Sequence, residues 1–294
     1  MDWAELGEKV DFIKDTFAEN KVQIRPDEGL GLALEEARAL AAGEKLPGNP
    51  SGDRLRAIAH DAHVVWALAE GLKMCLDAGL DVKAHLAQLT TGTTDYGTSG
   101  DGHAIYFKDF ECELFIAATL LRAGTEARFS DTPNDPRGDL IASPVRVEVK
   151  HPNSPKQLPK LLRKFNGKLK ADDLYGVFVV GIEDMFSLGD QDGFDDPMDF
   201  AAWMEGKRDD MEEFGREFLR EAAHWPRVLA VAQTQTMVEA VGAASRLRRL
   251  GNSCVFDDRS DVPEDAWTRA KEVAATFNPN PRVWTALGLA DETD

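Results

Sequence analysis

Cysteine is scarce. The 294 residues hold three, Cys75, Cys112 and Cys254, far apart and without Cys-x-x-Cys spacing. That excludes a disulfide frame and a zinc knuckle and predicts a reducing, cytoplasmic compartment. Long apolar runs are also missing. The longest, LYGVFVVGI, is far too short to cross a bilayer. The opening MDWAELGEKV is acidic and amphipathic, unlike a signal peptide. These features predict a cytoplasmic, prokaryotic protein with no membrane contact. Positive charge is short too: 34 Lys and Arg against 52 Asp and Glu, a net charge of −18. Taken whole, such a chain is no bulk binder of nucleic acid or anionic membrane. No Gly-Lys-Ser/Thr follows the glycine-rich stretch, which excludes a phosphate loop, and no Gly-x-Ser-x-Gly marks a hydrolase elbow.

What is present is a soluble globular composition, 43% hydrophobic and 29% charged, long enough for one large or two ordinary domains. Charge is unevenly spread. Residues 146–170 hold eight Lys or Arg against one acid, whereas residues 183–221 hold fourteen acids against four bases.

The first ninety residues read as helices. Trp3, Leu6, Val10, Ile13 and Phe17 recur at helical spacing, and further helices are predicted at about 30–43, 53–78 and 82–89, the last with Asp81 as its N-cap. TTGTTDYGTSGDGH, residues 90–103, is a Gly/Thr/Ser loop and the best boundary. The predicted division is a helical N-terminal domain, 1–95, and an α/β domain, 96–294. In the second, a helix from about Asp109 to Gly124 precedes a short strand, EARFS. GDLIA and VRVEVK then form a hairpin across Ser143-Pro144. A basic helix follows at about 156–170, then YGVFVVGI as a strand buried on both faces. Beyond it we expect helices at 197–224, 236–250 and 263–277, and strands at RVLAVAQ and Cys254–Phe256. The order from 109 to 182, αβββαβ, implies a mixed sheet flanked by helices.

The chemistry centres on VRVEVK. Period-two geometry puts Glu148 and Lys150 on one face of a strand, about 6.5–7 Å apart along it, with Arg146 a further step away. Alone, Glu-x-Lys on an alternating strand is an ordinary solvated face. A carboxylate and an ammonium group at a strand end also suit phosphodiester hydrolysis. The carboxylate can hold Mg²⁺ or Mn²⁺, and the lysine can position water or balance charge in the transition state. Mg²⁺ usually takes one or two carboxylates. Asp139 in GDLIA, across the turn, supplies the second, and Asp135 in NDPRGD is the alternative to it.

A helix with Glu, a strand, a strand with Asp, a strand with Glu-x-Lys, then a helix and an apolar strand resembles the PD-(D/E)XK nuclease superfamily, the restriction-endonuclease-like fold. ELFIAATLLRAG, GDLIA and VEVK carry the resemblance, which covers about residues 109–182. It implies Asp139 and Glu148 as metal ligands, Lys150 as the catalytic lysine, the main-chain carbonyl of Val149 as a further ligand, and Glu113 as an additional metal-binding acid. One departure is plain: Gly138 stands before Asp139 where the motif has proline.

In the basic helix, Leu158, Leu161, Leu162, Phe165 and Leu169 make an apolar face. Lys156, Lys160, Arg163, Lys164 and Lys168 occupy the remainder. Ser154 and Gln157 resemble a capping box, with Pro155 at the first helical position. Such lysines hold a phosphate backbone without reading bases, and Lys156 and Gln157 stand nearest the scissile phosphate. The expected function is a Mg²⁺- or Mn²⁺-dependent nuclease acting on nucleic acid, DNA before RNA, in prokaryotic defence or repair. Homodimers that cut both strands are common in the superfamily. The competing expectation is a nuclease-like binding or assembly subunit that docks a partner protein through the N-terminal helices or the acidic 183–221 region. A third is a protein whose Glu-x-Lys is incidental, which separation of Asp139 and Glu148 beyond one metal's reach would favour.

Overall fold

A computed structural model describes residues 3–26, 29–43, 52–91, 106–130, 138–186, 197–241, 244–257, 259, 261–278 and 281–284. Most of the glycine-rich loop predicted at 90–103 and Asp135 lie outside these residues, as does the greater part of the acidic loop that begins near Glu183.

The chain forms two compact units. One comprises Met1–Ala118, Ser187–Ala201 and Thr236–Arg248; the other comprises Thr119–Phe186, Ala202–Gln235 and Arg249–Asp294. All of residues 1–95 belong to the first, and residues 96–294 are shared between both.

In the first unit, α1 (Trp3–Glu19), α2 (Gly29–Ala41) and α3 (Gly52–Asp77) pack against one another, and the short α4 (Lys83–Leu89) follows. Leu6, Val10, Ile13 and Phe17 are all buried, as their spacing requires. The N-cap of α4 is Val82 rather than Asp81, although an Asp81 carboxylate oxygen accepts from the Lys83 N–H at 3.0 Å. The next helix, α5 (Tyr106–Arg122), carries Glu113.

The strands form one mixed sheet: β1 (Arg128–Phe129), β2 (Leu140–Ala142), β3 (Val145–Lys150), β4 (Gly176–Gly181), β5 (Val228–Val241), β6 (Ala244–Phe256) and β7 (Arg282–Trp284), in that spatial order. β1–β2–β3 are antiparallel, whereas β3–β4, β4–β5 and β6–β7 are parallel. The predicted hairpin forms in the register Leu140↔Val147 and Ala142↔Val145, across a cis Ser143–Pro144 peptide. The parallel β3–β4 pair is the crossover that α6 (Leu158–Ala171) spans, and all six residues of β4 are buried. α7 (Pro197–Ala223) and α8 (Glu264–Phe277) complete the helices, and α8 packs on β3 and β4.

Two expectations are corrected. The helix at 236–250 is absent: β5 runs on to Val241 and β6 begins at Ala244. Ala, Arg and Leu favour a helix there, but helix propensity is a weak prior, and continuation of the ladder from the buried β5 overrides it. The third strand pairing, β6 with β7 from Cys254↔Arg282 to Phe256↔Trp284, adds an edge strand that the sequence reading lacks. A three-residue strand is too short to show a period. No helix among the described residues is long and apolar enough to cross a membrane.

One buried pair shapes the first unit's response to pH. The His85 Nε2 on α4 lies 2.9 Å from the Glu113 Oε2 on α5, and the imidazole meets Phe110 edge-on. Burial pulls the His85 pKa from 6.5 down to about 4, against the opposing field of Asp81. The unfolded chain therefore binds a proton in this range that the folded chain refuses. The stability associated with His85 is full above pH 6.5 and is lost as pH falls towards 4, at a slope of up to ~1.4 kcal/mol per pH unit. We expect urea unfolding of wild type to weaken more steeply than that of His85→Gln between pH 6.5 and 4. Parallel slopes would refute this assignment.

Candidate active site

The site grows from the β2–β3 hairpin. Asp139 stands one residue before β2, and its N–H donates to the Val147 carbonyl at 2.9 Å. One step beyond the register of Leu140 with Val147, Asp139 faces Glu148 across the two strands. Directly opposed residues of an antiparallel pair point to the same side of the sheet. The hairpin register therefore places the two carboxylates together.

Gly138 makes this approach feasible. Its φ is 127°, and a Cβ built there would lie 3.1 Å from the Val147 oxygen and 3.2 Å from the Arg146 Cβ. Proline, fixed near −65°, cannot adopt that conformation. The chain enters β2 through a backbone angle that only glycine takes easily.

Glu148 is not on a solvated face. Its neighbour across the parallel ladder is Phe178 of β4. The Phe178 ring packs against Phe165 of α6 at 6.0 Å between centroids and against Phe218 of α7 at 6.1 Å. That aromatic layer covers the face carrying Glu148, leaving Glu148 6% exposed and Asp139 5%. The valines Val145, Val147 and Val149 are buried on the other face.

Burial needs a counter-charge, and Lys150 supplies it. Its Nζ lies 2.9 Å from the Asp139 Oδ2, 2.9 Å from the Glu148 Oε1 and 2.8 Å from the Val149 main-chain oxygen. The two carboxylate oxygens are therefore no further apart than twice 2.9 Å. The Asp139 Oδ2 also accepts from the Val149 N–H at 2.7 Å. The other oxygen of Glu148, Oε2, is buried without a hydrogen-bond partner. Burial first and the Asp139 charge second raise the Glu148 pKa from 4.5 to about 7, with Lys150 and Lys168 working against the rise. For Lys150, burial alone would lower the pKa, but Asp139 and Glu148 together more than reverse this, so the ammonium group stays charged.

The basic helix begins as a 3-10 turn, Pro155–Gln157, before α6 starts at Leu158. Ser154 caps the turn loosely, accepting from the Lys156 N–H at 3.4 Å. Gln157 does not close a capping box; its amide donates to the Asn153 side chain at 2.6 Å. Leu158, Leu162, Phe165 and Leu169 are buried as the apolar stripe requires, Leu161 is half-buried, and Asn166 joins the stripe to accept from the Arg227 N–H at 3.0 Å. Lys156, Gln157, Lys160, Arg163 and Lys164 are exposed. Lys168 differs. It lies three residues after Phe165, half-buried, in the electrostatic field of Glu148 and Asp139. Burial lowers its pKa; Lys164 and Lys150 lower it further, and the two acids oppose.

The structure thus brings Asp139, Glu148, the Val149 carbonyl and Lys150 together. Glu113 belongs to the first unit, where His85 is its described partner. One pair beside the site was not read from the sequence. The His151 Nε2, one residue past β3, lies 2.9 Å from the Glu183 Oε2, two past β4, and both side chains are buried. The ring of His151 lies over Gly181, where a Cβ would come within 1.7 Å of it. The available signal was an acid directly after an otherwise apolar strand, in GVFVVGIE.

Among the described residues no group of three or more His, Cys, Asp or Glu side chains is arranged to hold a metal ion. The hairpin set is smaller, two carboxylates and one main-chain carbonyl. That suits Mg²⁺ or Mn²⁺, which complete their shells with water and substrate oxygens. The partnerless Glu148 Oε2 is the kind of buried acceptor that a cation would satisfy. No family model, no curated protein and no solved structure matches the chain.

Two predictions follow from this geometry. Because the Glu148 pKa is raised from 4.5 to about 7, its stabilising share is complete below pH 4.5 and lost as pH rises through about 7. Glu148→Gln should therefore gain stability over wild type across that interval, by roughly 1–3 kcal/mol in chemical unfolding. An advantage that does not change with pH would refute the burial argument. Gly138→Ala should lose roughly 1–3 kcal/mol through its left-handed backbone angle, and an unchanged urea midpoint would show that the angle is not required.

Proposed function

We propose that the chain is a divalent-metal-dependent nuclease, with a restriction-endonuclease-like core and nucleic acid, DNA foremost, as its substrate. The observation that supports this most is the convergence of Asp139, Glu148 and the Val149 carbonyl on one point beside Lys150. In this reading Asp139, Glu148 and the Val149 oxygen hold Mg²⁺ or Mn²⁺, which supplies polarisation of the phosphoryl oxygen and activation of the attacking water.

The chain's own residues do the rest. The Lys150 ammonium, held charged by its two acids, is the group available to offset negative charge that grows on the phosphate oxygens. The aromatic layer of Phe165, Phe178 and Phe218 keeps water from the buried sides of the carboxylates, which strengthens every charge interaction there. Lys156, Lys160, Arg163 and Lys164 project from the start and outer face of the helix that leaves the site. They suit a phosphate backbone and read no base. Lys168, facing the carboxylates, belongs nearer the reacting phosphate than to the outer strip. Glu113, paired with His85, is the additional acid of the resemblance.

A second reading, a nuclease-like assembly subunit, draws on the net charge of −18, which repels nucleic acid everywhere but at the basic strip. Its partner would be a protein docked on the N-terminal helices or the acidic 183–221 region, or a second copy of the chain.

Cleavage of plasmid DNA, oligonucleotides and RNA with Mg²⁺ or Mn²⁺ separates the two. We expect wild type to cut and Glu148→Ala or Lys150→Ala to lose at least about a hundredfold in rate. Lys164→Ala should weaken binding alike on all sequences and reduce the log–log salt slope by about one. Failure of wild type to cut any substrate with either metal, or cleavage unaffected by Glu148→Ala, overturns the nuclease reading.

A further inference from the structure

An ammonium group has three protons to donate and no more. On Lys150 all three are committed within the protein. The acceptors are the Asp139 Oδ2 at 2.9 Å, the Glu148 Oε1 at 2.9 Å and the Val149 oxygen at 2.8 Å. None remains for a phosphate or a water. The three acceptors are also the atoms that, on the reading above, hold the divalent cation. One point in the hairpin therefore has two claimants, the chain's own ammonium and an external metal ion. Both cannot take it, because two cations within about 3 Å of each other repel strongly where water is scarce.

We propose that Lys150 and the divalent cation exchange: the ammonium is the internal counter-ion of the acidic pair, metal entry displaces it, and displacement turns its protons towards the substrate phosphate. The proposal rests on the nuclease reading of the same site. It makes Lys150 a competitive restraint on metal binding as well as the residue that meets the substrate. The displaced group has somewhere to go, since Lys150 is half-buried whereas both acids are buried. Two other described cations stand near this face: Arg146, one period back along β3, and Lys168, which acts on the acids from α6 through its field. Glu148 gains most from the exchange, because its partnerless Oε2 is satisfied only by an added cation or water.

The test is calorimetric Mn²⁺ titration of the full chain as wild type, Lys150→Met and Lys150→Arg, each shown to be folded by circular dichroism. Lys150→Met removes the competing charge at similar volume and should bind Mn²⁺ about tenfold more tightly or better, while losing cleavage. Lys150→Arg keeps the charge and should bind no more tightly than wild type. In wild type itself, the side-chain ammonium resonance of Lys150 should be visible by nitrogen-15 NMR, protected by its three bonds, and should shift or broaden on saturation with Mg²⁺. This measurement decides the matter if Lys150→Met does not fold. Equal or weaker Mn²⁺ binding by Lys150→Met, or an ammonium signal unmoved at saturating Mg²⁺, overturns the exchange and leaves the metal site standing. Absence of binding by both wild type and Lys150→Met, with Asp139→Asn no different, removes the metal site and the exchange together.

Discussion

Asp139 and Glu148 lie side by side and buried, Glu148 beside an aromatic layer, and the hairpin around them depends on how that negative charge is met. Two carboxylates in such a place cannot both ionise unless a cation lies between them. Lys150 can reach both because period two puts it on the face of Glu148 and because the β2–β3 register brings Asp139 opposite. Slip that register by one residue and the three groups no longer share a face. Gly138, the tight turn at Ser143–Pro144 and the buried valines on the far side all serve to hold that register. The local stability of the sheet and the proposed chemistry thus rest on the same three side chains.

The elements nearest the chemistry were the most legible in the sequence. VRVEVK and GDLIA alternate or cluster clearly, and a tight turn leaves few registers open, so Asp139, Glu148 and Lys150 were predicted as a set and are found within one ammonium's reach. The basic helix was legible from its stripe of leucines, and β4 from its unbroken apolar run. Other features were set by partners distant in sequence. β5 and β6 form from a segment whose composition favours a helix, because an adjacent buried strand offers a ladder to extend. The burial of Glu148 depends on Phe178, Phe165 and Phe218, which come from three different elements. Likewise, the partners of His85 and His151 lie 28 and 32 residues away, and no local pattern announces either pair.

Charge is distributed so that a basic strip begins where the acidic pair ends. Asp139 and Glu148 face inward and are neutralised by Lys150, while Lys156, Lys160, Arg163 and Lys164 face outward a few residues later. The protein's excess of acid is elsewhere, much of it between residues 183 and 221. An anionic polymer is attracted at such a strip and repelled by the acid-rich stretches, which sharpens where it docks even as it weakens how tightly. Low total affinity with a defined docking point suits an enzyme that must release its product. It equally suits a subunit delivered to nucleic acid by a partner.

Gly138 sets how the chain enters β2. Before the acid, a proline would stiffen the entry to β2 and remove a backbone donor. Glycine does the opposite: its φ of 127° lets the chain turn in close beneath Val147, so that Asp139 donates its N–H there and still directs its carboxylate at Val149 and Lys150. The hairpin combines an entry that only glycine takes easily, a buried acid pair and a half-buried lysine. Each is destabilising or indifferent alone, since a buried ion pair is often no better for stability than well-packed apolar side chains. On the proposed function, their joint presence leaves the acids free at times to hold something other than Lys150. An apolar hairpin would be the cheaper solution for a purely structural role, since β4 beside it is buried throughout while β3 alternates valine with charge.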